Sequence, residues 1–280
     1  MQITKAIIPV AGFGTRRLPI TKAIEKCMLP IGNRPIVDYI VQDCIIAGIT
    51  DIYFVINETR HSQLMDYYGE NTQLKNYLTE RGKDASILDT APSNVNFHYI
   101  AQPSTKYGTA VPIALVTEEF NLNEQVIMCN GDDPFWNVPS GSAVKDLVDE
   151  VANSEESAMT GLVRTPEEIS KTGAMLDVEN GFLKSLVEKP PVEKVTSNLM
   201  NINRFVFSPQ LLKMIVDYVK TSDPTLNPRG EYEITDPVQA YVREGNPMRV
   251  VAAKGDWLES GSLSGWLHAN EVIGRDLLAS

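Results

Sequence analysis

Residues 6–31 read AIIPVAGFGTRRLPITKAIEKCMLPI. The run Ala6-Ile7-Ile8-Pro9-Val10 has the pattern of a short buried strand, and the glycines of Gly12-Phe13-Gly14 turn the chain directly after it. Two glycines let the main chain approach a phosphate closely, with exposed N–H groups available to cradle it. The turn is neither of the two common phosphate loops. A dinucleotide fingerprint requires a third small residue where Arg17 stands, and a P-loop requires a GxxxxGK[ST] run that is absent. Arg16 instead places a permanent positive charge beside whatever phosphate the turn holds.

Working outward, residues 35–47 carry apolar side chains at helical spacing, Gly48 stops them, and 52–56 is a second apolar strand. Residues 61–82 predict helices broken near Gly69, 97–102 a strand, and 109–119 a helix that tolerates Pro112 in its first turn. A fourth strand over 125–129 ends in Asn130-Gly131-Asp132-Asp133. Beyond it the sequence predicts strands at 158–164, 204–208 and 248–253, and helices at 209–220 and 263–278. Within 173–188, Asn180-Gly181 is a strong hairpin signal. Strands alternating with helices in this way predict an α/β fold. The expected form is a Rossmann-like, doubly wound, mostly parallel sheet with helices on both faces and a small antiparallel section. A single domain over 1–280 is expected, built from a half at 1–135 and a half at 136–280. Open α/β sheets bind ligands beyond the carboxyl ends of their strands, where the loops after Val10, Gln102 and Cys129 fall.

Charge narrows the ligand. The chain has 25 Lys and Arg against 36 Asp and Glu, net −11, which argues against a general binder of nucleic acid or of a membrane surface. Residues 1–34 reverse that balance, with six basic residues and one acid, Glu25. A cationic stretch on an acidic protein favours a small anion held locally. No apolar run is long enough to span a bilayer, and the first apolar segment is too short for a secretory signal, so a cytoplasmic protein is expected. Cys27, Cys44 and Cys129 form no CxxC pair, which indicates neither a disulfide framework nor a zinc ribbon.

Residues 12–31 resemble the signature GxGTRLxPxTxxxPKxMLPI of the sugar-nucleotide pyrophosphorylases. The resemblance continues in order along the chain. Residues 43–52 fit the next helix and strand, and 74–102, with Leu78, Gly82-Lys83 and Leu88, resemble an insertion of the bacterial glucose-1-phosphate uridylyltransferases. Gln102 with Tyr107-Gly108-Thr109-Ala110 is similar to their base-binding loop, Gly131-Asp132-Asp133 to their metal turn, and Val187-Glu188-Lys189-Pro190 to their sugar-side motif. Ser197-Asn198-Leu199 and Arg204-Phe205 fit the next strand, and residues 230–236 fit the closing helix.

The resemblance implies transfer of a uridylyl group from UTP to glucose 1-phosphate, giving UDP-glucose and pyrophosphate with Mg2+ as cofactor. It assigns Gly12, Gly14 and Thr15 to the triphosphate, Arg16 to the leaving pyrophosphate, Lys26 to bridging the phosphates and Asp132 to the metal. Gln102 would read the uracil edge, Ala11 would lie under the ring and Gly108 would leave room for it. Gly173 and Glu188 would lie against the glucose in the antiparallel, sugar-side section, and Lys189 would neutralise the sugar phosphate. A homo-oligomer, dimer or tetramer, is also implied.

The chain departs from the pattern at several places. Glu25 replaces a proline. Glu259 stands where the family has a second metal-binding aspartate, and its extra methylene displaces the carboxylate unless the backbone compensates. Asn201 and Asn203 lie in a run where the family has a glycine, which points to crowding of the sugar pocket and a different hexose. The alternatives are therefore a thymidylyltransferase, a uridylyltransferase for another hexose 1-phosphate, and a non-catalytic sensor of sugar nucleotides.

Overall fold

A computed structural model of the chain describes residues 2–59, 62–226 and 230–279. Its architecture follows from period-two alternation along the strands. In β1 (Lys5–Pro9), Ala6 and Ile8 enter the core on one face of the sheet while Ile7 enters the core on the other. The same alternation puts Ile52, Phe54 and Ile56 on one side of a neighbouring strand, and Tyr53 and Val55 on the other. A strand that is apolar on both faces must be covered on both, and helices supply the cover.

The chain continues through β2 (Pro30–Ile31), β3 (Arg34–Pro35), α1 (Ile36–Ile46), β4 (Asp51–Asn57), α2 (Gln63–Tyr68) and α3 (Thr72–Glu80). Then come β5 (Asn96–Gln102), α4 (Val111–Glu119), β6 (Val126–Cys129), β7 (Phe135–Trp136), α5 (Ala143–Val151) and β8 (Ser157–Val163). The remainder is α6 (Pro166–Thr172), β9 (Ala174–Glu179), β10 (Phe182–Glu188), β11 (Leu199–Phe207), α7 (Pro209–Thr221), α8 (Thr235–Arg243), β12 (Met248–Ala252), β13 (Asp256–Trp257) and α9 (Leu263–Ala279). Helices α2 and α3 fill the stretch expected at 61–82, of which residue 61 lies outside the described residues.

Among the described residues one nine-stranded sheet runs in the order β5-β4-β1-β6-β11-β8-β12-β10-β9. Strands β5, β4, β1 and β6 are parallel, β11 runs antiparallel between β6 and β8, and β10 with β9 forms the antiparallel hairpin. Helices α1, α5 and α9 cover one face, and α4, α7 and α8 the other. A buried ion pair ties these layers: Arg204 of β11 donates to Asp43 Oδ2 of α1 at 3.1 Å, and Asp43 Oδ1 accepts from the Val144 N–H of α5 at 3.4 Å. The three cysteines are free and buried. Among the described residues, no helix is long and apolar enough to cross a membrane.

Strand β11 begins at Leu199, five residues before the start that the apolar pattern alone predicts. Its pairing with β8 shifts register between Asn201 and Phe205, and Asn203 sits at φ 53° inside that bulge. Asn201 Nδ2 donates to Asn203 Oδ1 at 3.0 Å, and the Asn203 N–H donates to Asn201 Oδ1 at 2.9 Å. Asparagine is the side chain that best tolerates the left-handed region after glycine. The departure from the family glycine thus has a backbone cause. Replacing Asn203 by glycine is expected to leave urea-melt stability within about 0.5 kcal/mol, whereas alanine lowers it by roughly 1–2 kcal/mol.

Candidate active site

Two loops that follow neighbouring parallel strands meet through opposite charges. Lys26 Nζ, delivered by the turn after β1, forms an ion pair with Asp132 Oδ2, delivered by the loop after β6. Gly14 makes the approach possible. Its φ of 65° is left-handed, and a Cβ there would stand 2.9 Å from Lys26 Cβ and 3.0 Å from Thr21 Cγ2. Thr21 Oγ1 donates to the Gly14 carbonyl at 2.9 Å and fixes the loop, which continues as a single 3-10 turn over Thr15–Arg17. A Cβ on Gly12 would meet nothing within 4 Å, so the main chain there is open to a ligand. On the opposite loop, a Cβ on Gly131 would stand 2.5 Å from Val10 Cγ1, so only glycine lets the two loops pack.

A third segment completes the group. The position a Gly261 Cβ would take lies 2.5 Å from Glu259 Oε1, 3.1 Å from Arg16 Nη2 and 3.3 Å from Asp132 Oδ2. Arg16, Asp132 and Glu259 therefore converge on one point, which a glycine leaves clear. The added methylene of Glu259 is accommodated locally. Ser262 Oγ donates to Glu259 Oε2 at 2.8 Å, and Ser262 also accepts the Gly265 N–H at 3.0 Å at the start of α9. Gly265 must be glycine because a Cβ would stand 1.9 Å from the Glu259 carbonyl. Among the described residues no three or more His, Cys, Asp or Glu side chains gather in a metal-holding group. Asp132 and Glu259 together fit a small divalent ion of the kind that keeps most of its waters and shares phosphate oxygens.

Sequence reasoning placed Asp133 in the metal turn without a role of its own, and gave Arg17 none. The Asp133 carboxyl is pushed up to about 7, first by burial and then by the neighbouring Asp132 charge, although Asn130 Nδ2 donates to it at 3.0 Å. Arg17 is buried, and all three guanidinium nitrogens lack a hydrogen-bond acceptor. It lies over the Trp266 ring at 5.6 Å, and burial lowers its pKa while the Asp132 and Glu259 charges raise it. The family pattern has leucine at this position, and that was the available signal.

The residues expected to meet the base form a second group. Asn57 of β4 pairs in register with Gln102 of β5, and its Nδ2 donates to the Ala11 carbonyl at 3.2 Å. Gln102 Nε2 donates to the Lys106 carbonyl at 3.0 Å, which holds the loop to its own strand. The Tyr232 main chain fills the space beside Gly108, where a Cβ would stand 2.2 Å from its carbonyl oxygen. Tyr232 donates to the Tyr107 carbonyl and accepts from the Ala110 N–H, both at 2.9 Å. Asn57 was not expected here, nor was Glu58, whose Oε1 accepts the Ser104 N–H at 2.6 Å, because β4 was not counted among the strands whose ends form the site. Gly173, Glu188 and Lys189 form a third group at the open ends of β9 and β10. The Lys189 N–H donates to the Gly173 carbonyl at 3.1 Å, and Lys189 Nζ lies 3.9 Å from Glu188 Oε1.

Residues 5–275 match the nucleotidyl transferase family. The chain belongs to that family. This nucleotidyl transferase is 32% identical to the UTP–glucose-1-phosphate uridylyltransferase of Bacillus subtilis, over 85% of this chain and 80% of the relative. A Methanocaldococcus jannaschii protein provisionally given the same activity is 34% identical over 98% of this chain and 94% of its own. A solved UDP-glucose pyrophosphorylase in complex with UDP-glucose superposes with a TM-score of 0.80 at 26% identity, over 98% of this chain and 100% of that one.

Two outcomes follow for the charged cluster of the nucleotidyl transferase. Arg17→Leu removes a buried charge without an acceptor and is expected to raise stability by about 1–3 kcal/mol in denaturant melts. Because the Asp133 pKa is raised on folding, its carboxyl destabilises the metal-free protein progressively as pH rises from about 4 through about 7. Asp133→Asn is expected to gain roughly 1–2 kcal/mol at pH 8 and almost nothing at pH 4, read as a pH series of thermal melts.

Proposed function

We propose that this nucleotidyl transferase moves a uridylyl group from UTP to glucose 1-phosphate, releasing pyrophosphate and forming UDP-glucose. The observation that carries the proposal is the convergence of Arg16, Lys26, Asp132 and Glu259 at the open glycine turn after β1. Relatives above 30% identity that carry this activity support the choice of substrates.

The reaction needs two anions brought together and little else from the protein. An oxygen of the sugar phosphate attacks the α-phosphorus, the bond to the bridging oxygen breaks, and pyrophosphate leaves with the electron pair. No protein nucleophile is required. Catalysis is positioning and neutralisation of charge. The main chain at Gly12, Gly14 and Thr15 cradles the triphosphate, and Arg16 faces the leaving pyrophosphate. A divalent ion on Asp132 and Glu259 would draw the phosphate oxygens together and neutralise them. Lys26 then exchanges its carboxylate partner for phosphate oxygen, and its ammonium spans the charge that develops there. Gln102 offers an amide that can both donate to and accept from the uracil edge. Glu188 accepts from sugar hydroxyls, and Lys189, held at φ 42°, meets the sugar phosphate.

The backbone cause found for Asn203 removes the main reason to look for a different hexose. Pyrophosphate release is expected with UTP and glucose 1-phosphate in Mg2+, well above release with dTTP or galactose 1-phosphate, and EDTA abolishes it. Lys26→Ala and Asp132→Ala each lower kcat by about a hundredfold or more. Absence of release from every pair, with UDP-glucose still bound, would instead identify a sensor.

A further inference from the structure

Glu25 stands where the family pattern has proline, directly before Lys26. Its backbone lies at φ −60° and ψ 140°, and this φ is the one a proline ring imposes. An ordinary residue reaches this conformation freely but, lacking the ring, is not confined to it. The Glu25 N–H donates to Gln63 Oε1 at 2.8 Å, the Gln63 N–H donates to Glu25 Oε1 at 2.5 Å, and Ser62 Oγ donates to Glu25 Oε2 at 3.1 Å. This is a reciprocal latch between the turn after β1 and the first residue of α2.

The latched segment has two further anchors. Asn57 holds the Ala11 carbonyl, and Glu58 Oε1 accepts the Ser104 N–H at 2.6 Å beside the base-side loop. Asn57, Glu58, Ser62 and Gln63 thus touch the phosphate turn, the base loop and the residue preceding Lys26. On its other side Lys26 is confined by Gly14, against which its Cβ packs, and by the 3-10 turn over Lys26–Met28, where the Met28 N–H donates to the Glu25 carbonyl at 2.9 Å.

We infer that Glu25 is a positioning residue for Lys26. Its latch onto Gln63 replaces the rigidity of a proline and sets the direction in which the ammonium meets the phosphates. A proline would hold that direction by itself. The latch makes it depend instead on the first turn of α2, a separate element of the fold. The inference rests on Lys26 acting on phosphate, as in the proposed reaction.

The test compares Glu25→Ala, Glu25→Pro, Lys26→Ala and the Glu25→Ala/Lys26→Ala double variant by pyrophosphate release, UTP titration and melting temperature. Glu25→Ala is expected to lower kcat roughly tenfold while the KM for glucose 1-phosphate and the melting temperature hold. Glu25→Pro restores kcat to within about threefold of the parent, because the family residue suits the backbone already present. In the double variant the Glu25 change adds nothing to the loss of Lys26, as expected for a residue acting only through it. An unchanged kcat in Glu25→Ala overturns the inference, as does the same tenfold loss on top of Lys26→Ala. Should Glu25→Ala fail to fold, Gln63→Ala removes the bond from the Glu25 N–H and leaves the two to its carboxylate, so a smaller loss of kcat in the same direction is expected, and an unchanged kcat overturns the inference. If the parent releases no pyrophosphate, the proposed reaction fails, and the latch is read from UTP affinity alone. Weakening in Glu25→Ala to the level of Lys26→Ala supports it, and unchanged affinity rejects it.

Discussion

The ion pair between Lys26 and Asp132 is the contact on which the site depends. Parallel strands β1 and β6 lie side by side, so their loops emerge at the same edge, but adjacency alone does not join them. Opposite charges do, and they draw in the rest. Arg16 and Glu259 close over the same point, and Asp133 and Arg17 sit just behind it. Three acids and three bases in a partly desolvated corner balance one another, where any one of them alone would be costly to bury. The glycines at 14, 131 and 261 serve this balance by letting main chain and charged groups approach closely.

Balance is not the same as satisfaction. Arg17 contributes its charge without a hydrogen bond, and Asp133 holds its proton far above the usual carboxylate range. Both carry an energetic cost in the folded protein. A polyanion with its metal would bring negative and positive charge into this corner together, so the cluster is arranged for an occupied state. Sites of this kind commonly give up stability for readiness.

Much of this was legible in the sequence, and the reasons are specific. The strands of the first half are short, apolar on both faces and punctuated by glycine, so period and length identified them. The hairpin at Asn180-Gly181 formed where that dipeptide predicts it, with both residues at positive φ. Helices α5 and α6 were not anticipated. They are only seven to nine residues long and are fixed by caps such as the Thr165–Glu168 capping box, so they offer too few turns for a helical period to stand out. Asn201 and Asn203 interrupt the alternation of β11 and hid its first half. Glu259 reads as a misfit until the Ser262 bond and the two nearby glycines are seen to carry it. Asn57 and Glu58 act through β4, an inner strand whose end gives no chemical signal of its own.

Strand β11 has a consequence for how the chain is made. It lies between β6 and β8 and antiparallel to both, although some seventy residues separate it from β6 in sequence. Until it emerges, β6 has a bare edge exactly where the loop bearing Asp132 begins. The first half therefore cannot finish as an independent unit while the ribosome is still producing the second. Closing such distant pairings is slow, and an unpaired edge invites association with other chains in the meantime. For this fold the vulnerable interval of synthesis is the passage from Cys129 to Phe207, when the nucleotide-facing strands are already present and their last neighbour is not.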